Sequence, residues 1–383
     1  MSRSLRILVA HNVRCDRPGG MSRIMRLIHD RVANRGHRVE YLCREHAGPA
    51  GQGRWARFAF PLLVRRRVLE AARAGTPYDI VNVHEPSSAA VATRRSGMGR
   101  TSVVVTAHGV ERRAWELALE ERRLGRAGPA WTTRIWYPLT TLWQSRLGLR
   151  HADRIFCLST EDREYLTRKM DIPAGRIERI HPGANPVFAE AATGRDYRRA
   201  TRVLFAGTWR KNKGIEDFIP AFTRLAEAQP ALELTVAGAG VAPDAVRAAF
   251  PASLGPRISC LDTGTEAATA AIYAAADLYL LPSLFEGTPL TLIEAMMSGL
   301  PIITTDTCGM KDVIQHDRTG LLVPRRSPEA IVTAALRLLE SPRDRERLGR
   351  AARSEARERY TWDHAAEPVI RVYESLGNDG RTA

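Results

Sequence analysis

Short apolar runs alternate with amphipathic stretches from one end of the chain to the other. The runs are Arg6 to Ala10, Tyr78 to Val83, Thr101 to Ala107, Ala152 to Leu158, Val203 to Ala206, Leu232 to Ala237, Ile258 to Leu261, Leu278 to Leu281 and Ile302-Ile303. A shorter one, Leu321 to Val323, follows Gly320. Between them apolar positions recur at helical spacing, as through Val32, from Pro328 to Glu340 and from Arg343 to Arg359. Continuous apolar runs are the mark of strands buried on both faces, and parallel strands need helices as crossovers. The pattern predicts an α/β fold with parallel sheets.

The alternation pauses between Ala189 and Arg202, where the chain is small, polar and charged. A boundary there divides the chain into domains 1–195 and 196–360, as expected for 383 residues. A final helix over Asp363 to Leu376 carries Val369, Ile370, Val372 and Tyr373 as a packing face.

In open parallel sheets ligands bind beyond the carboxyl ends of the strands. The residues directly after each run are therefore the candidate chemistry. The first run leads to Gly19 and Gly20, which permit close approach by a ligand. The second ends in His84-Glu85 and the third in His108-Gly109. The fifth enters Gly207-Thr208-Trp209-Arg210-Lys211-Asn212-Lys213-Gly214, three cations and two glycines in one loop, a clamp suited to a diphosphate. It is not a Walker A loop, and Gly238-Ala239-Gly240 lacks the third glycine of a dinucleotide fingerprint.

The stretch Leu278 to Ile303 reads as strand, loop, helix, turn, strand. Thr288 is predicted as the N-cap and Pro289 as the first helical residue. A helix start presents free N–H groups and a partial positive charge to an anion, and Gly287 lets the chain come close. Glu286 and Glu294, separated by seven residues, repel phosphate and suit sugar hydroxyls. The combination fits a sugar carried on a nucleoside diphosphate. Taken singly, each feature is also explained by a tight turn, a structural histidine or a solvated charged loop.

Charge adds an asymmetry. The net charge is +15, yet residues 1–200 hold 36 Lys and Arg against 19 Asp and Glu, while residues 201–383 hold 21 against 23. The excess is nearly all Arg, in part a composition bias. Nucleic acid, an anionic membrane and a phosphorylated acceptor are all compatible partners. Two segments read as membrane-facing: Trp55 to Ala74, where Phe58, Phe60 and Leu62 lie among arginines, and Glu111 to Arg150, with Trp115, Trp131, Trp136 and Trp143. The competing readings are a packed helix with a solvated face and a nucleic-acid surface. No apolar run reaches the roughly 18 residues of a membrane span. The start shows no signal-peptide pattern, so the expected location is cytoplasmic, peripheral at the inner face of the membrane. Five scattered cysteines without a C-x-x-C pair predict reduced thiols and no metal site.

Taken together, these residues resemble the retaining glycosyltransferases of the GT-B type, family 4 (group 1). The resemblance is carried by Glu286 and Glu294 inside Pro-Ser-Leu-Phe-Glu-Gly-Thr-Pro-Leu-Thr-Leu-Ile-Glu-Ala-Met, by Gly207 with Lys213-Gly214, by Gly238, Gly240 and Gly264, and by the Gly299-Leu300-Pro301 turn. It implies two Rossmann-like domains facing a central cleft, with residues 361–383 as a helix crossing back to the first. It implies further that the donor, a UDP- or GDP-sugar, sits on the second domain and a saccharide or lipid-linked acceptor on the first. Lys213 and Arg210 would neutralise the diphosphate, Glu294 would bind the ribose and Glu286 the transferred sugar. The amides of Gly287, Thr288, Pro289 and Leu290 would surround sugar and phosphate. Pro289 supplies no N–H. His108 would face the sugar, and Gly19-Gly20 the phosphates. Thr208 stands where the family usually has Arg, so Arg210 or Lys211 takes that role. Developing charge on the leaving diphosphate would be met by fixed cations and helix ends. No metal and no cofactor are expected. The rival readings are a nucleotide-sugar epimerase of the same fold and a basic nucleic-acid-binding protein. Nucleic acid is disfavoured because the diphosphate features lie in the half without net positive charge.

Overall fold

The computed structural model describes residues 3–15, 20–51, 56–126 and 128–379. Gly19, Arg54 and Trp55 lie outside the described residues. The chain forms two compact units, residues 1–181 with 363–383, and residues 182–362. Each is built on a six-stranded parallel sheet.

In the first unit the strands are β1 (Arg6–Ala10), β2 (Arg38–Leu42), β3 (Ile80–His84), β4 (Ser102–Ala107), β5 (Arg154–Cys157) and β6 (Ile177–Arg179). Their order across the sheet is β2-β1-β3-β4-β5-β6. The central strands hold the residues the apolar runs singled out: every residue of β3 is buried, and Ile7, Val9 and Ala10 are fully so. The edge strand β6 carries Glu178 and Arg179 in three residues and gave no apolar signal.

The second unit has β7 (Arg202–Ala206), β8 (Glu233–Ala237), β9 (Ile258–Leu261), β10 (Leu278–Leu281), β11 (Ile302–Thr305) and β12 (Leu321–Val323), in the order β12-β11-β10-β7-β8-β9. Both β10 and β11 are buried throughout. In each sheet the chain starts near the middle, builds to one side, then returns to build the other. The order therefore reverses between β1 and β3 in one unit and between β7 and β10 in the other. Loops leaving the sheet at such a point diverge and leave a crevice.

The chain's last helix, Trp362–Asp379, belongs to the first unit. Tyr373 is fully buried there, its hydroxyl 2.7 Å from Asn82 Nδ2 and 2.9 Å from His29 Nε2. Thr106 Oγ1 donates to Asn82 Oδ1 at 2.8 Å and completes the chain of hydrogen bonds from β4 to the helix.

Three expectations are corrected. The central helix starts at Leu290, with Pro289 as its N-cap at ψ 125°, so Thr288 is one residue too early for the cap. The segment after Trp55 forms the helix Ala56–Arg73, but Phe60, Val64, Val68 and Ala71 are buried in the unit's core, and of the apolar residues named there Leu62 is the exposed one. Finally, Cys15 and Cys43 are not separate thiols: the structure joins them in a disulfide, their Cα atoms 5.8 Å apart, within the usual span of one.

Candidate functional site

At the reversal point of the second sheet, the loops after β7 and β10 are tied to each other. The Leu284 amide donates to the Asn212 carbonyl at 2.8 Å. Gly214 makes this closeness available: its φ is +74°, and a Cβ there would lie 1.9 Å from the Pro282 carbonyl oxygen. The join brings Lys213 Nζ to 2.5 Å from Glu286 Oε1, with both side chains largely shielded from solvent. Ser283 Oγ donates to the same oxygen at 3.3 Å. The ammonium also lies over Gly207, which holds a φ of +142°. A cation and a carboxylate from different strands are thus held at the sheet's carboxyl edge.

The backbone around this pair is close-packed. A Cβ on Gly309 would sit 1.8 Å from the Gly287 carbonyl oxygen and 2.5 Å from Thr288 Oγ1. The start of the helix Cys308–Val313 therefore abuts the segment that opens the helix Leu290–Met297. Gly238 follows β8 at φ +67°, with Thr263 against it, and Gly264 precedes Thr265, the cap of the helix Glu266–Ala275. Glu294 is placed differently from Glu286: it is buried in the helix interior and accepts from Tyr273 Oη at 3.0 Å. Trp209 packs with Phe205, Phe218 and Phe250 and belongs to the core.

The two candidates for the second cation also part company. Lys211 Nζ lies 2.6 Å from Glu216 Oε1, whereas Arg210 is exposed and makes no ion pair among the described residues. One cation was missed by the sequence reading: Arg325 reaches back to the Leu284 carbonyl at 3.4 Å. Its position after β12 was the available signal.

In the first unit, histidines occupy the reversal point. His11 follows β1, His84 ends β3, and His108 follows β4. His108 Nε2 is 2.7 Å from His84 Nδ1, with the rings stacked at 4.7 Å, and the His11 ring lies 5.8 Å from that of His84. Burial pushes His11 and His108 down to about 4, and His84 well below its ordinary value. All three rings are neutral at pH 7, so the 2.7 Å contact has one ring donating and the other accepting. Beside them, Glu85 accepts from the Glu111 amide at 3.3 Å and from Ser145 Oγ. Burial, reinforced by Glu111, pushes Glu85 up to about 8. Tyr137 Oη donates to Glu111, and the Trp115 and Tyr137 rings stack at 4.8 Å. Sequence reasoning found His84, Glu85 and His108 but gave no site role to Glu111, which opens the helix Glu111–Arg123 after β4, or to Tyr137, which ends the separate helix Trp131–Tyr137. Gly20 opens the helix Gly20–Asn34 and is exposed.

Further along, Trp131, Ile135, Trp136, Leu139 and Trp143 are all exposed, Trp131 by 69%. No helix among the described residues is long and apolar enough to cross a membrane.

Comparison with known proteins covers both units. The family described as Glycosyltransferase Family 4 matches residues 18–188, and the one described as Glycosyl transferases group 1 matches residues 200–341. An alpha-D-kanosaminyltransferase of Streptomyces kanamyceticus is 27% identical over 61% of this chain, which spans 64% of that relative's length. A phosphatidyl-myo-inositol mannosyltransferase of Mycobacterium tuberculosis is 24% identical over 95% of both chains. Among solved structures, sucrose-phosphate synthase from Thermosynechococcus elongatus superposes with a TM-score of 0.79 at 21% identity, covering 98% of this chain and all of that one. Anabaena HepE in complex with UDP-glucose superposes with a TM-score of 0.70 at 16% identity, over 97% of this chain and all of its own. The fold is the GT-B fold of these neighbours, and with matches to either half the chain belongs to the group 1, family 4 glycosyltransferases.

Proposed function

We propose that the protein is a retaining hexosyltransferase that takes a sugar from a UDP- or GDP-sugar and passes it to a saccharide or lipid-linked acceptor. The observation that carries this reading is the Lys213–Glu286 pair at the reversal point of the second sheet. Without a ligand, the carboxylate occupies the place of an anion beside the ammonium. An arriving diphosphate takes the three donors of Lys213, with Arg210 as the outer cation, and releases Glu286 toward the sugar hydroxyls. As the sugar–phosphate bond breaks, charge builds on the departing diphosphate, and a cation already in place stabilises it without reorganisation. Glu294, held by Tyr273, is the group for the ribose. The amides from Gly287 to Leu290, other than that of Pro289, surround sugar and phosphate. UDP-glucose in HepE supports a nucleotide-sugar donor, and the mannosyltransferase supports a lipid-linked acceptor. His108 is the expected contact of the first unit with the sugar.

A panel of UDP- and GDP-sugars tests the reading by transfer and by thermal stabilisation, since a selective ligand raises the melting temperature. Transfer with inversion at the anomeric carbon, or stabilisation by no nucleotide sugar, contradicts it. Donor turnover with no acceptor present points instead to an epimerase.

A second reading concerns the membrane. The first unit carries 35 Lys and Arg against 21 Asp and Glu, and exposes Trp131, Ile135, Leu139 and Trp143 at a spacing of four along one helical run. A large exposed apolar stripe on a basic body fits an anionic bilayer surface. Flotation with anionic vesicles at low salt, lost at high salt, is the expected result; no binding at low salt rules the reading out.

A further inference from the structure

Cys15 and Cys43 come together beside His11, at the margin of the first unit's histidine cluster. Cys43 directly follows β2 and His11 directly follows β1. The two strands pair with Ala10 opposite Leu42, and the His11 amide donates to the Leu42 carbonyl at 3.0 Å. This register sets His11 Nε2 at 3.4 Å from Cys43 Sγ and 3.6 Å from Cys15 Sγ. The nitrogen–sulfur edge of a tetrahedral zinc site is about 3.5 Å, from Zn–N near 2.0 Å and Zn–S near 2.3 Å. The ligand atoms of His11, Cys15 and Cys43 all lie within 4.8 Å of one another, and so do those of Cys43, Glu45 and His46. Cys43 is common to both groups. The sequence spacing is His-x3-Cys on one loop, with Cys43 at the start of the neighbouring loop.

We propose that the reduced chain binds one zinc ion here, through His11, Cys15 and Cys43. The disulfide seen in the structure is the oxidised, metal-free form of the same pair. Reduction by a thiol or phosphine frees two thiols, each of which gives up a proton as it binds the cation. Cys15 is only partly buried, so its side chain can turn outward to open the space between the sulfurs. His46 Nδ1 accepts from the Cys43 amide at 3.0 Å, so that ring braces the loop and stays outside the ligand set. Glu45 accepts from the Cys15 amide at 3.0 Å and positions that loop without ligating. Two sulfurs and one imidazole from the protein leave the fourth tetrahedral position to a water molecule. Its role is structural: it pins the segment from His11 to Cys15 to the end of β2.

The test uses the untagged full chain, purified under a phosphine reductant and analysed for zinc, then for cobalt after exchange. The expected result is one zinc per chain, and with cobalt a thiolate-to-metal charge-transfer band in the near ultraviolet. Cys43→Ser and His11→Ala lose the metal, and Cys260→Ser keeps it. Alkylation of Cys15 and Cys43 becomes fast only after a chelator is added. The wild-type measurements stand even if a variant fails to fold. A reduced chain that binds neither zinc nor cobalt overturns the proposal, whether its thiols are then free or bridged. Zinc retained in Cys43→Ser overturns it as well.

Discussion

The two units solve the same geometric problem with different residues. Each has a six-stranded parallel sheet whose order reverses once, and each gathers side chains from the two loops at that reversal. The second unit puts a Lys213–Glu286 ion pair there, among glycines that admit backbone to within contact. The first puts three neutral histidines and a protonated carboxyl. Charge separates them further. The first unit holds 35 basic residues against 21 acidic, a net +14, and the second holds 22 against 21, a net +1. The fold fixes where chemistry can sit; the residue that follows each strand decides which chemistry it is. A diphosphate needs fixed cations and close backbone. Neutral, hydrogen-bonding groups with no net charge to offer suit hydroxyls instead.

The comparison breaks most easily at the ion pair. Lys213→Ala removes a preorganised cation from the departing phosphate, and transfer should fall by about 100- to 1,000-fold. Glu286→Ala should fall comparably, while both variants keep the wild-type melting profile. Steady-state kinetics with the preferred nucleotide sugar make the measurement. Activity within tenfold of wild type in either variant removes the basis for assigning the donor to the second unit. Gly214→Ala attacks the backbone instead. Its Cβ meets the Pro282 carbonyl oxygen at 1.9 Å in a left-handed conformation, so the loops must part. A loss of about 3 kcal/mol in chemical unfolding is expected. The same substitution at Gly264, where no atom lies within 4 Å of a built Cβ, should cost under about 1 kcal/mol.

What the sequence revealed follows from the same contrast. Strands buried on both faces, such as β3, β10 and β11, write themselves as unbroken apolar runs. The edge strand β6, with Glu178 and Arg179, does not. Gly207, Lys213 and Glu286 stood out because glycines and cations crowd one short loop after a strand, and the structure brings Lys213 and Glu286 together. Other partners did not stand out. Nothing in the spacing says that Lys211 turns to Glu216, or that Tyr273 holds Glu294, because those contacts come from elements that only packing brings together. The apolar stripe of Ala56–Arg73 misled for a related reason: helical periodicity shows that a face is apolar, not what covers it. Cysteine arithmetic missed Cys15 and Cys43 by looking for pairs close in sequence, when parallel pairing of β1 with β2 makes residues 28 apart neighbours.

The histidine and carboxyl cluster gives the first unit its own pH signature. His11, His29 and His108 titrate at about 4 when folded and at 6.5 when unfolded, so the unfolded chain binds more protons between those values and stability rises with pH across that window. Glu85 acts in the opposite sense. It keeps its proton to about pH 8 when folded but loses it at 4.5 when unfolded, so it lowers stability as pH rises from 4.5 to 8. Below 6.5 these histidines, with His84 shifted in the same direction, outweigh Glu85; above it Glu85 sets the slope, and burial raises Glu111 and Asp162 in the same sense. Stability of this unit should peak near pH 6.5 and fall by about 2 kcal/mol by pH 8. Glu85→Gln should flatten the alkaline side. Hydrogen exchange resolved by unit makes the measurement, and a first-unit curve still rising through pH 8 refutes it.

The smallest effect separates the two candidate outer cations. Lys211 is already committed to Glu216 at a solvent-exposed site, and an exposed pair of that kind contributes under about 1 kcal/mol. Removing it exposes nothing and frees no buried charge. Arg210 has no such commitment among the described residues and stands three positions before Lys213 on the same loop. If the loop clamps a diphosphate, the uncommitted cation is the one whose donors are available to it. Arg210→Ala should therefore raise KM for the nucleotide sugar about tenfold, the worth of one modest charge-assisted hydrogen bond. Lys211→Ala should stay within about twofold, since its ammonium makes no bond to lose on the ligand. The reverse order would mean that the Lys211–Glu216 pair opens when ligand binds, and that the loop rearranges to take its anion.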